Sequence, residues 1–202
     1  MRGRCVQNLS QVKQWRRAVD PAVELEGFDP TTGLAGRDLL LERLERQWVW
    51  CTERQLALCL LLINIRQFSL IRKQRAEDID QALIAVGQVV SDALRRRADF
   101  AGHIRAGEFS ALLADVTRDG AMHVAETMIR AVREARIPMP GLPDQVVEVA
   151  VGGACYVPTA NHFSKTLVTQ ADEALAETRR HADGRAVIHG MANKPDIARG
   201  GW

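Results

Sequence analysis

The chain has no C-x-x-C pair, and its four cysteines, Cys5, Cys51, Cys59 and Cys155, stand far apart with no histidine at ligand spacing. This pattern predicts free, partly buried thiols in a reducing cytoplasm. Net charge is also scarce: +2 over 202 residues is too little to argue for nucleic acid or an anionic membrane as an obligate partner. The longest apolar run, Leu56–Ile65, is about half the length that spans a bilayer. The first twenty residues contain no continuous apolar stretch, which excludes a secretory signal. The expectation is a cytoplasmic protein without membrane insertion. What is present is a hydrophobic content of 47% with 26% charged residues, ordinary for a globular chain long enough to bury a core.

Periodicity divides the chain in three. Residues 1–28 carry Leu9, Val12, Trp15, Val19 and Val23 at roughly helical spacing, interrupted near Pro21, and predict a short amphipathic leader. From residue 191 onward the sequence reads as a flexible tail. Between them, residues 29–190 form the domain proper. Its expected order is a turn at 29–37, a helix over 38–54 and a strand over 56–65 buried on both faces. A helix over 78–96 follows, then a strand pair around 100–116 and a helix over 119–136. A strand over 146–157, a helix over 164–182 with Ser164 as N-cap, and a closing strand at "RAVIHG" complete it. A hairpin inside an otherwise alternating chain predicts an α/β (α+β) fold whose central mixed, mainly antiparallel sheet is wrapped by helices. In the hairpin sequence "FAGHIRAGEFSALL" (100–113) the turn is expected at Arg105–Glu108, with Gly107 supplying backbone freedom.

Four segments, in order, resemble the GGDEF family, whose active members are diguanylate cyclases. "DPTTGLAGR" is similar to its opening D-x-L-T-G-L-x-N-R, with Asp29, Thr32, Gly33, Leu34 and Arg37 kept. "LLLINIRQF" resembles the buried strand L-L-D-I-D-x-F, and "IRAGEFSALL" the signature Y-G-G-D-E-F-A-L-L. "VEVAVGGA" and "ADEALAETRRHADGR" resemble the closing strand and the A-D-x-A-L-Y-x-A-K helix. The resemblance implies the palm-like fold of nucleotidyl cyclases.

It also implies that the chemistry is gone. Joining two GTP molecules needs two divalent cations, and hard cations need carboxylate oxygens. The family takes these from the first Asp of L-D-I-D and the third signature position, which here are Asn64 and Gly107. Asn64 offers a neutral carbonyl, Gly107 no side chain, and Arg66 a cation where the second Asp stands. Arg72 and Lys73 replace the guanine-recognising Asn and the Asp that follows it. In the signature itself (Arg105, Ala106, Gly107, Glu108, Phe109) only Glu108 and Phe109 keep the pattern, and Arg105 adds bulk where bare backbone approaches phosphate. Arg179 stands for the closing helix's Lys. On this reading the turn is a scaffold remnant, the domain is no enzyme, and it holds no metal or cofactor.

One family feature survives. Active members often carry a product-inhibition motif, R-x-x-D, ending five residues before the signature, and Arg96-Arg97-Ala98-Asp99 has that spacing. Arginine's planar fork suits phosphate or the guanine O6/N7 edge, and a carboxylate accepts from guanine N–H groups. Arg95 and Arg97 add positive potential, while Thr127 stands near where some members place a further ligand arginine. Alternatively the cluster is a solvated helix end favoured by the helix dipole. The leading expectation is thus an inactive GGDEF-like signalling domain that binds cyclic di-GMP through Arg96 and Asp99. The alternative is a pure docking module for another signalling protein, and a residual GTP-binding or cyclase enzyme comes last. The leader is expected to support association, with itself as a homodimer or with a partner. His103 and His123 are expected to be surface or strand residues. Of Trp48 and Trp50, two apart in a helix, at least one is expected at a contact surface.

Overall fold

The protein is described by a computed structural model that covers residues 27–71, 74–142, 144–159, 162–180 and 184–190. The leader, the tail, Arg72 and Lys73 lie outside the described residues.

The first helix, α1 (Arg37–Arg54), places Leu40, Leu44, Trp48 and Cys51 on one buried face and ends at Gln55 in a left-handed conformation. Strand β1 (Leu58–Ile65) follows, then a single-turn helix α2 (Phe68–Ile71) that periodicity does not reveal, and α3 (Ala76–Ala93). Strands β2 (Phe100–Arg105) and β3 (Glu108–Ala114) form the expected hairpin. Then come α4 (Arg118–Ala135), β4 (Val149–Tyr156), α5 (Ser164–Arg180) and β5 (Val187–Gly190). Thr117 caps α4 by accepting a bond from the Gly120 amide at 3.1 Å, one of the donors a helix start leaves open.

The five strands lie in the order β2-β3-β1-β4-β5. Every pairing is antiparallel except β4–β5, which is parallel. The sheet is therefore mixed and mainly antiparallel, as its sequence pattern predicts. Central β1 explains its own apolar run. Cys59, Leu61, Ile63 and Ile65 face a layer made by α3 and α4, while Leu58, Leu60 and Leu62 face one made by α1 and α5. Each fully buried Leu or Ile contributes about 1.5–3 kcal/mol relative to leaving it in water. Alternation along a strand thus serves two cores at once.

Four expectations need correction. Cys59 and Cys155 are direct cross-strand partners in the β1–β4 register, and they are joined as a disulfide with a Cα–Cα distance of 4.0 Å. Their separation of 96 residues hides an adjacency that only strand order creates. Among the described cysteines, Cys51 stays free and buried. The helix read as 78–96 stops at Ala93, so Arg95–Arg97 form a loop rather than a helix end. Ser164 does not precede α5 as its cap. It is the first helical residue, and its hydroxyl hydrogen-bonds Glu45 on α1. Left-handed backbone in the signature turn falls at Ala106, with φ of 44°, not at Gly107.

Helix α5 can lie tightly on β4 because of Gly152. A Cβ there would stand 2.1 Å from the Leu175 backbone nitrogen, so only glycine fits. Thr178 reinforces the contact by donating to the Val151 carbonyl at 3.1 Å. This seating carries Asp172 and Arg179 toward the end of β1.

Candidate functional site

Asn64, near the C-terminal end of β1, pairs in register with Glu108 on β3 and Ala150 on β4. The hairpin turn closes against the same strand end, with the Ile65 amide donating to the Gly107 carbonyl at 2.9 Å. Sequence reasoning brings Asn64, Gly107 and Glu108 together, and so does the fold.

What surrounds them differs from a metal cradle. A Cβ on Gly107 would lie 2.5 Å from Cδ2 of Phe68. The ring of this α2 residue thus fills the space into which a side chain at 107 would project. Glu108 is engaged twice, by Arg105 Nε at 2.8 Å and by Arg179 at 3.7 Å. The hydrogen bond to Glu108, and after it the Glu108 charge, raise the Arg105 pKa. Asp172, about two helical turns before Arg179, has its carboxyl pushed up first by burial and then by the Glu108 charge. The result is a lattice of opposed charges in which Glu108 is already taken up by two guanidinium partners.

Two hollows flank this lattice. One, of about 430 Å³, is lined by Asn64, Arg66, Gln67, Asp144, Glu148 and Arg179. The other, of about 300 Å³, runs between α1 and α5, with Leu41, Leu44 and Val168 at one end and Glu108, Asp172 and Arg179 at the other. Arg66, where the family's second strand Asp stands, contributes a guanidinium to the first. Of the positions expected to be lost to metal chemistry, Asn64 and Arg66 line a real concavity, which they share with Arg179 and the carboxylates Asp144 and Glu148.

Behind the turn lies a residue that sequence reasoning set aside. His103 on β2 is only 6% exposed. Its Nε2 is 2.5 Å from the Ala106 carbonyl oxygen, and its ring stacks on Phe109 with centroids 4.6 Å apart. Its Nδ1 is 3.0 Å from Asp29 Oδ1. The same carboxylate oxygen accepts from the Thr32 amide and hydroxyl, each at 2.7 Å. Burial works to raise the Asp29 pKa, but the bonds from His103 and Thr32 outweigh it and leave the carboxyl below its ordinary value. The opening "DPTTG" turn is thereby tied to the signature turn. A lone histidine on a strand gives no sign of this, because its partner lies 74 residues upstream by sequence number.

At the other end of the β2–β3 hairpin are Arg96 and Asp99. Their short loop closes on itself: the Arg96 amide donates to Asp99 Oδ2 at 3.1 Å, and the Asp99 amide to the Arg96 carbonyl at 3.0 Å. The Arg96 guanidinium is exposed and donates to the Asp115 carbonyl at 2.7 Å. Burial raises the Asp99 pKa against the opposing pull of the Arg96 amide and charge. Its Oδ1 is buried without a hydrogen-bond partner among the described residues. Arg95 and Arg97 flank this pair on the surface. Thr127, on α4, likewise has a buried hydroxyl without a partner there. His123 is exposed on α4. Trp48 is buried, while Trp50 is 39% exposed with the Arg54 guanidinium over its ring.

A family model described as diguanylate cyclase, GGDEF domain, matches residues 27–185. The chain belongs to the GGDEF family. Solved GGDEF structures share its fold. The coiled coil and GGDEF domain of DgcB from Caulobacter crescentus, in complex with c-di-GMP, is 17% identical with a TM-score of 0.71, covering 92% of this chain and 96% of that one. Diguanylate cyclase SiaD from Pseudomonas aeruginosa, in complex with its activator SiaC, is 24% identical with a TM-score of 0.68, covering 92% and 70%. The FimX GGDEF domain from Pseudomonas aeruginosa is 17% identical with a TM-score of 0.69, covering 83% and 100%. Among curated proteins there is no sequence match. Among the described residues of this GGDEF domain, no helix is long and apolar enough to cross a membrane.

Proposed function

We propose that this GGDEF domain is a catalytically inactive receptor of cyclic di-GMP signalling, with Arg96 and Asp99 as its ligand contacts. The observation that carries the receptor reading is the loop that leaves the Arg96 guanidinium exposed on the Asp115 carbonyl and holds Asp99 in the same turn through the Arg96 amide. One turn thus supplies a cation for phosphate or the guanine O6/N7 edge and, in Asp99, an acceptor for guanine N–H groups. Arg95 and Arg97 add positive potential for an anionic dinucleotide.

Inactivity rests on separate features. Phosphoryl-group joining by two metals needs oxygen ligands that are free to take the ions. Asn64 supplies an amide, position 107 supplies nothing, and Glu108 is held between Arg105 and Arg179. The signalling output then passes to another protein, which reads the ligand-bound state of the domain.

Calorimetric titration with cyclic di-GMP tests this. The wild type is expected to bind. Each charge-assisted contact contributes about 1.5–3 kcal/mol, so Arg96→Ala should weaken binding about ten- to a hundredfold. Glu108→Ala, at the opposite end of the hairpin, should leave affinity nearly unchanged. No heat from the wild type at high micromolar ligand would end the receptor reading and leave the docking-module reading in its place.

A further inference from the structure

We propose that the groove between α1 and α5 is the seat of this chain's own leader, with Val12, Trp15 and Val19 lying against Leu41, Val49 and Phe163. The groove is apolar where it should be polar. Val49 is 56% exposed, Phe163 75% and Leu41 38%. They belong to one patch: Leu41, Glu45 and Val49 recur every four residues along one stripe of α1, and Glu45 meets Ser164, the residue after Phe163. The hollow between the two helices continues this patch inward through Leu44 and Val168. Three large apolar side chains left exposed around Glu45 mark a contact.

The point of attachment selects the occupant. The Gly36 amide donates to the Gly27 carbonyl at 2.6 Å, and the Cα of Gly27 is packed so closely on Leu39 that a Cβ would be 3.1 Å from that side chain. The leader therefore joins the domain beside the first turn of α1 on its Leu39 flank, and must pass around the helix to reach the stripe that begins at Leu41. Val19 precedes Gly27 by eight residues, a reach of up to about 28 Å, ample to bring it to Leu41. From Leu41 to Val49 the stripe runs about 12 Å along α1, and a helix from Val12 to Val19 spans about 10 Å. An antiparallel leader sets Val19 by Leu41 and Val12 by Val49 and Phe163. Charge agrees with this direction. Lys13, Arg16 and Arg17 on the leader would flank Asp38, Glu42 and Glu45, all exposed on α1. The leader's own apolar stripe finds cover in the same step.

Full-length protein with Cys5→Ser, Val19→Cys and Leu41→Cys is the test, oxidised with copper–phenanthroline and read by non-reducing electrophoresis and peptide mass. A control carries Glu134→Cys in place of the change at Leu41, on α4 across the sheet. The expected result is a disulfide within one chain for the 19–41 pair and none for the 19–134 pair. Crosslinking between two chains would overturn the proposal in favour of a second copy on this groove. No crosslink, or equal crosslinking of both pairs, would overturn it outright. Hydrogen exchange provides an independent reading. Amides of residues 9–19 should exchange about tenfold more slowly in the wild type than in a Val49→Asp, Phe163→Ser variant, with β1 protection unchanged in both. Equal exchange would refute the seat even if that variant remains folded.

Discussion

Restoring carboxylates at both vacated metal positions, Asn64→Asp together with Gly107→Asp, should destabilise the domain and still yield no cyclic di-GMP. The loss begins at position 107. A Cβ there lies 2.5 Å from Phe68 Cδ2 and 2.9 Å from Cγ, and a carboxylate extends further into the ring. Forcing atoms into such a contact costs about 1–3 kcal/mol, unless the half-buried Phe68 swings out. The second contribution is charge. A carboxylate at 64 faces Glu108 across the β1–β3 pairing. Two like charges about 4 Å apart repel by about 1 kcal/mol in water and up to about 4 kcal/mol near a protein surface. Arg105 and Arg179 offset part of that repulsion, so the double variant should lose about 2–5 kcal/mol. Denaturant unfolding of the wild type, both single variants, the double variant and the double variant with Phe68→Ala separates the contributions. Removing the ring should return much of the steric part. Product formation from GTP with Mg²⁺ or Mn²⁺ should stay at background, because on the proposed reading Arg72 and Lys73 stand where the family recognises guanine. A Gly107→Asp variant as stable as the wild type would refute the packing argument. Steady synthesis of cyclic di-GMP by the double variant, or by the wild type, would refute the functional one.

Ala106→Gly should stabilise the domain by about 0.5–1 kcal/mol, since left-handed backbone costs an L-residue about 1–2 kcal/mol and glycine's greater freedom in the unfolded chain returns about 0.4–1. Thermal unfolding checks this, and a lower melting temperature would mean that the φ of 44° at Ala106 carries no strain. Asp29 should govern part of the acid limb. Its folded-state pKa lies below the ordinary value, so its contribution is present above the unfolded carboxylate range near about 3.9 and is lost as pH falls through the folded value. A side-chain amide does not titrate in this range, so Asp29→Asn should flatten the fall in stability below about pH 4; parallel acid limbs for the two proteins would refute the role of the His103 and Thr32 bonds.

Much of this fold is legible because it rests on local patterns. The doubly buried β1 shows as an unbroken apolar run, the α1 core face as leucines four apart, and the hairpin as alternation around a polar turn. The family motifs add the order in which these elements assemble. Hidden from the sequence is whatever depends on two distant segments meeting. The Cys59–Cys155 bond needs β1 and β4 to be neighbours in one register. The His103–Asp29 contact needs the opening turn to fold over β2. The role of Gly107 is a third case. A glycine in a turn suggests a positive φ, yet here the tight approach of Phe68 demands it, while Ala106 takes the left-handed conformation. Residue type alone does not distinguish freedom of backbone from lack of space.

On the proposed reading, the positions that lack the family's chemistry, Gly107 apart, are ones the core needs little. Leu61, Ile63, Phe109, Leu112 and Leu113 are fully buried and hold the sheet between its helices. Asn64, Arg66, Arg105 and Glu108 sit at strand ends or in the turn, where half-exposed side chains answer mainly to one another. Exchanging an Asp for an Asn or an Arg at such a place removes a metal ligand without opening a cavity, so the packed layers do not resist it. The signature hairpin illustrates the separation within a single element. Phe109, on the core side, keeps its aromatic ring stacked on His103, while Glu108, its neighbour on the opposite face, is neutralised by two arginines. At the hairpin's other end, Arg96 and Asp99 are held by backbone bonds in their own loop and depend on neither the turn nor a metal. On the proposed reading, a ligand site there can outlast the loss of catalysis, and such a domain would read a nucleotide signal rather than make one.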